Sequence, residues 1–139
     1  MGVALASASQ SAAATRSANI DTLGADWATI KLNLGAQVNT SAVAATIVIK
    51  ESDTTDASAF ATWSSSFSRA ESLTNAHQLV FQIDTRSRKR YLQLSITNGT
   101  HTTNDLVTSS ADYLLSRLAQ APTGTTGMLA SSNDVVVIG

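Results

Sequence analysis

QLVFQIDTRSRKRYLQLSITNG, residues 78–99, is the stretch whose reading decides the fold. It holds two apolar/polar alternations on either side of a strongly charged turn. Leu79, Phe81 and Ile83 share one face of the first run, opposite Val80, Gln82 and Asp84. Leu92, Leu94 and Ile96 share one face of the second, opposite Tyr91, Gln93, Ser95 and Thr97. Alternation with a period of two belongs to strands packed on one side, because successive side chains point to opposite faces. Arg86, Arg88, Lys89 and Arg90 lie between the runs, and no core buries such charges unpaired. The stretch therefore reads as a hairpin, two antiparallel strands joined by a basic turn, at the centre of the domain. Asn98-Gly99 closes it with residues that tolerate a left-handed backbone.

Outward from this centre the same period recurs. Ala28, Ile30, Leu32 and Leu34 face one way, and Trp27, Thr29, Lys31 and Asn33 the other. Ala45, Ile47 and Ile49 share a side opposite Thr46, Val48 and Lys50. Residues 110–119, with Tyr113, Leu114, Leu115 and Leu118, fit a buried strand or a short helix, and the surrounding strands favour the former. Residues 56–72 are ambiguous. Phe60, Trp63 and Phe67 have helical spacing, yet Ser64, Ser65 and Ser66 are poor helix formers. A loop pinned by aromatic anchors is the competing reading. At least five short strands and almost no helix predict an all-β protein, an antiparallel β-sandwich of jelly-roll-like form.

Composition agrees. Of 139 residues, 22 are Ala and 37 are Ser or Thr, while charged residues make up 14%. This mixture suits strands and polar loops better than amphipathic helices. One domain is expected over residues 20–119, between two arms. Residues 1–19 are small and polar without periodicity and read as a flexible or extended N-terminal arm. Residues 120–139 read as a Pro/Gly/Thr linker followed by a β-prone arm, Asp134 to Ile138. Val135, Val136, Val137 and Ile138 need a sheet edge, their own or a neighbour's. The 14 residues from 120 to 133 reach up to ~46 Å at about 3.3 Å each, enough for either. Donation to a neighbouring subunit is the expectation.

Chemistry-bearing patterns are sparse. There is no Cys, hence no disulfide and no thiolate metal site. His77 and His101 stand apart beside turn-like sequence. The HExxH, GxSxG and phosphate-loop patterns do not occur. No catalytic residue, cofactor or metal is expected, and the chain reads as a non-enzyme. Glu51, Asp53 and Asp56 crowd one turn but lack the calcium-loop spacing, so a solvated acidic turn is the reading. Net charge is −1, which gives no reason to expect nucleic acid. No apolar run approaches the roughly 20 residues of a membrane helix. The opening MGVALASASQ lacks the basic n-region of a signal peptide and, with Ala6, the hydroxyl of a myristoylation motif. Asn39-Thr40-Ser41 and Asn98-Gly99-Thr100 match glycosylation sequons, a pattern common by chance. The strongest local feature is the cluster Arg86, Arg88, Lys89 and Arg90, expected to dock against acidic residues of a partner protein.

Three segments together resemble a known arrangement: IDTLGADWATIKLNLGA, TIVIKESDTTDASAF and FQIDTRSRKRYLQLSIT. A strand after a D-T-x-G turn, a strand ending in an ESD turn before an aromatic, and a D-x-R-x-x-K-R-Y-L turn resemble small virion proteins of tailed bacteriophages. That group includes capsid decoration, or cement, proteins. The resemblance covers residues 20–97 and departs at residues 56–72, where a shorter turn is expected. It implies a β-sandwich, a homo-oligomer (dimer or trimer) and binding to the major capsid protein on the outside of a head. A tail or fibre accessory protein is the near alternative. A carbohydrate-binding module is the distant one, needing exposed aromatics for which Trp27, Trp63 and Tyr91 are candidates.

Overall fold

The alternating runs become strands of two facing sheets in the computed structural model, which describes residues 1–10, 13–35, 44–62, 68–72, 76–98, 107–117 and 133–138. In chain order the strands are β1 (Gly2–Gln10), β2 (Thr15–Asp21), β3 (Trp27–Leu34), β4 (Ala44–Ser52) and β5 (Ala61–Thr62). They continue with β6 (Ser68–Ser72), β7 (His77–Asp84), β8 (Tyr91–Thr97), β9 (Val107–Ser116) and β10 (Asn133–Ile138). One sheet has the order β1-β9-β3-β7-β10, the other β2-β8-β4-β5, with β6 also on β4.

The order has a simple origin. β1 pairs with β9, β2 with β8, β3 with β7, and β4 with β5 and β6, all antiparallel. The chain is thus one long antiparallel ribbon whose tip is the turn after β4. Rolling the ribbon up adds β3–β9 and β4–β8, so that β1 to β4 alternate between sheets, as do β6 to β9, while β5 and β6 stay beside β4. This is a jelly roll, with β10 added at one edge.

The core follows the alternation. Ile20, Ile30, Leu32, Ile47, Ile49, Leu79, Phe81, Ile83, Leu92, Leu94 and Ile96 are fully buried. Burying each such side chain stabilises the fold by about 1.5–3 kcal/mol relative to exposure. Phe60 is also buried, pinning the connection after a short 3₁₀ turn at Ala57–Ala59. In the described part of 56–72 this turn, β5 and β6 stand where a helix was considered; Trp63 and Phe67 lie outside the described residues.

The central hairpin is corrected. β7 and β8 are consecutive and antiparallel in direction, but they lie in opposite sheets. Leu79, Phe81 and Ile83 face Leu92, Leu94 and Ile96 across the core instead of lying beside them. A tight hairpin uses a turn with left-handed residues. The connection 85–90 has none: among the described residues only Ala13 and Gly24 have positive φ. Its backbone turns instead toward the 22–26 connection. Thr85 donates its N–H to the Asp26 carbonyl (2.9 Å) and its hydroxyl to the Ala25 carbonyl (2.7 Å). The Arg90 carbonyl accepts from both the N–H and the hydroxyl of Thr22, at 2.9 and 2.7 Å.

The N-terminal arm is also corrected. Residues 2–10 form β1, which pairs with β9 from Gly2↔Tyr113 to Gln10↔Val107 and buries Leu5 in the core. Its register shifts between Val3 and Leu5 and again between Leu5 and Ala8. Such bulges turn backbone groups away from the ladder. Arg16, on β2 of the opposite sheet, meets them. Its guanidinium donates to the carbonyls of Ala6 (2.7 Å), Ala8 (3.2 Å) and Ser109 (2.9 Å), and to the Ser109 hydroxyl (3.1 Å). One side chain thereby ties the two sheets together at their β1/β2 margin.

The C-terminal segment folds back. β10 lies parallel on β7 of its own chain, from Asn133↔Gln78 to Ile138↔Ile83. Own-sheet pairing satisfies the same backbone groups without a second molecule.

Candidate functional site

Three connections meet at one end of the sandwich: 22–26 between β2 and β3, 53–60 after β4, and 85–90 between β7 and β8. They are the three turns of the segments that carry the virion-protein resemblance. Rolling the ribbon is what gathers them, since each joins strands of neighbouring position in the roll.

The basic cluster sits in the third turn, and its cations are largely engaged within the chain. Arg86 clasps Asp84, its neighbour at the end of β7, through both the guanidinium and the backbone N–H. The same guanidinium lies over the Trp27 ring, 5.6 Å from its centroid. Lys89 approaches Asp53 at 3.6 Å, and its N–H donates to Glu51 at 3.4 Å. Arg90 grips Asp21 in a two-pronged contact at 3.0 and 2.7 Å and lies 4.8 Å from the Tyr91 ring centroid. Planar guanidinium–carboxylate pairs of this form fix geometry as well as charge. Arg88 is half-buried and outside these three ion pairs. The cluster therefore braces three turns from different parts of the chain, while Arg86, Lys89 and Arg90 keep nearly half of their side-chain surface exposed.

The first turn depends on Gly24, whose φ of +76° disfavours any residue with a side chain. Arg117, just beyond β9, donates to the Gly24 carbonyl and closes a shallow cleft of about 270 Å³ lined by Leu23, Ala25, Leu115 and Ser116. Leu23 projects from this end with 71% of its surface exposed. The end carries Arg86, Arg88, Lys89, Arg90 and Arg117 against Asp21, Asp26, Glu51, Asp53, Asp56 and Asp84. Five cations against six carboxylates leave no positive field of the kind that attracts a phosphate backbone.

The ion pairs set the carboxylate acidities. The Arg90 guanidinium, helped by the Leu23 N–H, holds the Asp21 carboxyl below its ordinary value. Arg86 does the same for Asp84. At Asp56 the cause is the Ser58 N–H, followed by the Ser58 hydroxyl. A carboxyl depressed in the folded state stabilises it above the unfolded value, about 3.9, and that contribution is lost as pH falls through the folded value. The bracing of this end is thus expected to loosen below about pH 4. Amide exchange across the acid range tests this. Residues 22–26 and 85–90 should lose protection at a higher pH than the β3–β7 ladder, and simultaneous loss would contradict it.

Other candidate residues are dispersed. Glu51 and Asp53 both meet Lys89, through its N–H and its ammonium, while Asp56 meets Ser58, and among the described residues no three metal-ligating side chains come together. His77 begins β7, while His101 lies outside the described residues. So does the Asn39 sequon; Asn98 of the other is buried, with its N–H donated to the Ala14 carbonyl. Trp27 is buried beneath Arg86 and Tyr91 is half-buried beside Arg90, which removes two of the three aromatics a sugar platform needs. Trp63 lies outside the described residues. Val135 to Ile138 belong to β10, the edge strand beside β7, and the register Ile138↔Ile83 brings its C-terminal end to the same end of the sandwich as the basic turn.

Sequence reasoning missed Arg16. The available signal is that it is the one charged residue among the first 20. No helix among the described residues is long and apolar enough to cross a membrane. Comparison with family models, with curated proteins and with solved structures finds no match.

Proposed function

We propose that the chain is a structural virion protein that binds the outside of a phage head and bridges coat subunits, as capsid decoration proteins do. The supporting observation is the convergence of the three turns. Segments far apart in sequence, singled out by their resemblance to virion proteins, assemble into one braced end bearing an exposed leucine. A fold by itself implies no function, and jelly rolls serve capsid proteins, lectins and cupins alike. The weight therefore falls on that end surface, which we assign to contact with the coat protein. The sugar-binding alternative loses support with the burial of Trp27.

The test is the composition of purified particles of the phage that encodes the chain. Heads should contain it at a fixed ratio to the major capsid protein. Added back to heads stripped of it, the wild-type chain should rebind. Leu23→Asp, at the exposed leucine and outside the three ion pairs, should rebind at least ~10-fold more weakly, a loss of about 1.4 kcal/mol. Heads free of the chain, or rebinding that the end surface does not influence, would sink the proposal.

A further inference from the structure

Among the described residues the large apolar side chains left exposed are Met1, Val3, Leu23 and Leu114. Leu23 belongs to the loop end, but the other three gather on the outer face of the first sheet. Val3 is the register partner of Asp112 on β9. Met1 and Leu114 line one hollow of about 190 Å³ together with Thr29, Lys31, Asp112 and Tyr113. A single row of side chains crosses this face, one from each of four strands. Val3 of β1 pairs with Asp112 of β9, Asp112 with Lys31 of β3, and Lys31 with Val80 of β7. Directly paired residues project from the same face, so the row runs apolar, negative, positive, apolar. Lys31 is exposed and Asp112 half-buried, and neither is in an ion pair among the described residues.

We infer that this face meets a second copy of the chain, sheet against sheet, about a two-fold axis running along the strands between β9 and β3. Such an axis places β9 of each copy over β3 of the other, and β1 over β7. Asp112 of one copy then lies over Lys31 of the second copy, and Val3 over Val80. In the next row Leu114 and Thr29 are register partners, so Leu114 of each copy closes over Thr29 of the other, at the hollow. Facing sheets pack about 10 Å apart, a gap that such side chains fill. A two-fold interface must match itself, and this row does so in both charge and hydrophobicity. The charges fix the register, while burial of the flanking apolar residues supplies the attraction. The face is separate from the three turns assigned to the coat, so self-association is read in an assay of its own.

The experiment is sedimentation equilibrium of the full-length chain from micromolar to millimolar concentration. The samples are wild type, Lys31→Asp, Asp112→Lys, an equimolar mixture of those two, and Lys50→Asp. Thermal melts confirm that each variant folds. Wild type should dimerise. Lys31→Asp sets carboxylate against carboxylate at both symmetric contacts, and Asp112→Lys sets ammonium against ammonium. Each alone should therefore dimerise at least ~10-fold more weakly. In the mixture the carboxylate gained at 31 faces the ammonium gained at 112. Heterodimers should recover the wild-type affinity, and lose the recovery in high salt. Lys50→Asp, on β4 of the other sheet, makes the same change in net charge and should dimerise like wild type. A wild-type monomer at every concentration overturns the inference. So does a mixture that associates no better than its two components. Equal weakening by Lys50→Asp and Lys31→Asp would overturn it too, by showing an effect of net charge alone.

Discussion

Phe81→Ala is expected to lower the unfolding free energy by about 3–5 kcal/mol. Phe81 is among the largest fully buried side chains, and it sits on β7 between Ile30 of β3 and Val136 of β10 in register. Truncation removes the transfer energy of the ring and leaves a cavity in a core walled by two sheets, which relaxes only in part. Leu94→Ala, on the opposite sheet and equally buried, should cost about 2–5 kcal/mol. Urea unfolding at constant m-value measures both. A loss below about 0.5 kcal/mol at either site would place that residue on the surface and break the shared core.

Arg16→Ala carries the second effect, about 1–2 kcal/mol, for a different reason. It leaves the part-buried Ser109 carbonyl without the guanidinium, while the exposed Ala6 and Ala8 carbonyls exchange it for water. The loss is local. Amides of β1 should exchange faster by the full factor of the destabilisation, while those of β3 and β7 keep their protection. Arg16→Lys should recover only part, because an ammonium cannot span the same acceptors as the guanidinium fork. Unchanged β1 protection in Arg16→Ala would show that the β1–β9 ladder holds the strand unaided.

The contrast between these two residues explains what the sequence disclosed. Phe81 was legible because alternation reports which face of a strand is buried, and every residue placed in the core on that ground is there. Alternation does not report a strand's lateral neighbour. The same pattern in β7 and β8 suits a hairpin and a pair of strands facing across a core. The turn does not discriminate either, since a connection of the length of residues 85–90 without Gly or Asn can close a hairpin around a type I turn or cross between sheets. β1 was illegible because its Ala/Ser sequence buries little beyond Leu5, and its pairing depends on β9, roughly a hundred residues away.

The basic cluster shows the same limit. Four positive residues within five positions look unpaired when the chain is read locally. Asp84 is close in sequence, but the partners of Arg90 and Lys89, Asp21 and Asp53, arrive only through the roll of the ribbon. Charge patterning along a chain identifies what must be paired and not with what.

The claim on which the rest depends is that the chain between Asp84 and Tyr91 crosses from one sheet to the other, since that crossing gathers the three turns. The protein contains no Cys, so engineered pairs report directly. Lys31 and Val80 are register partners on β3 and β7, within the separation a disulfide requires for strand neighbours. Val80 and Ser95 would be partners in a hairpin closed at Asp84 and Tyr91, but here they lie in different sheets. Under mild oxidation, Lys31→Cys/Val80→Cys should form an intramolecular disulfide and Val80→Cys/Ser95→Cys should stay reduced. The reverse outcome, with the second pair closing and the first not, would contradict the crossing and with it the braced end.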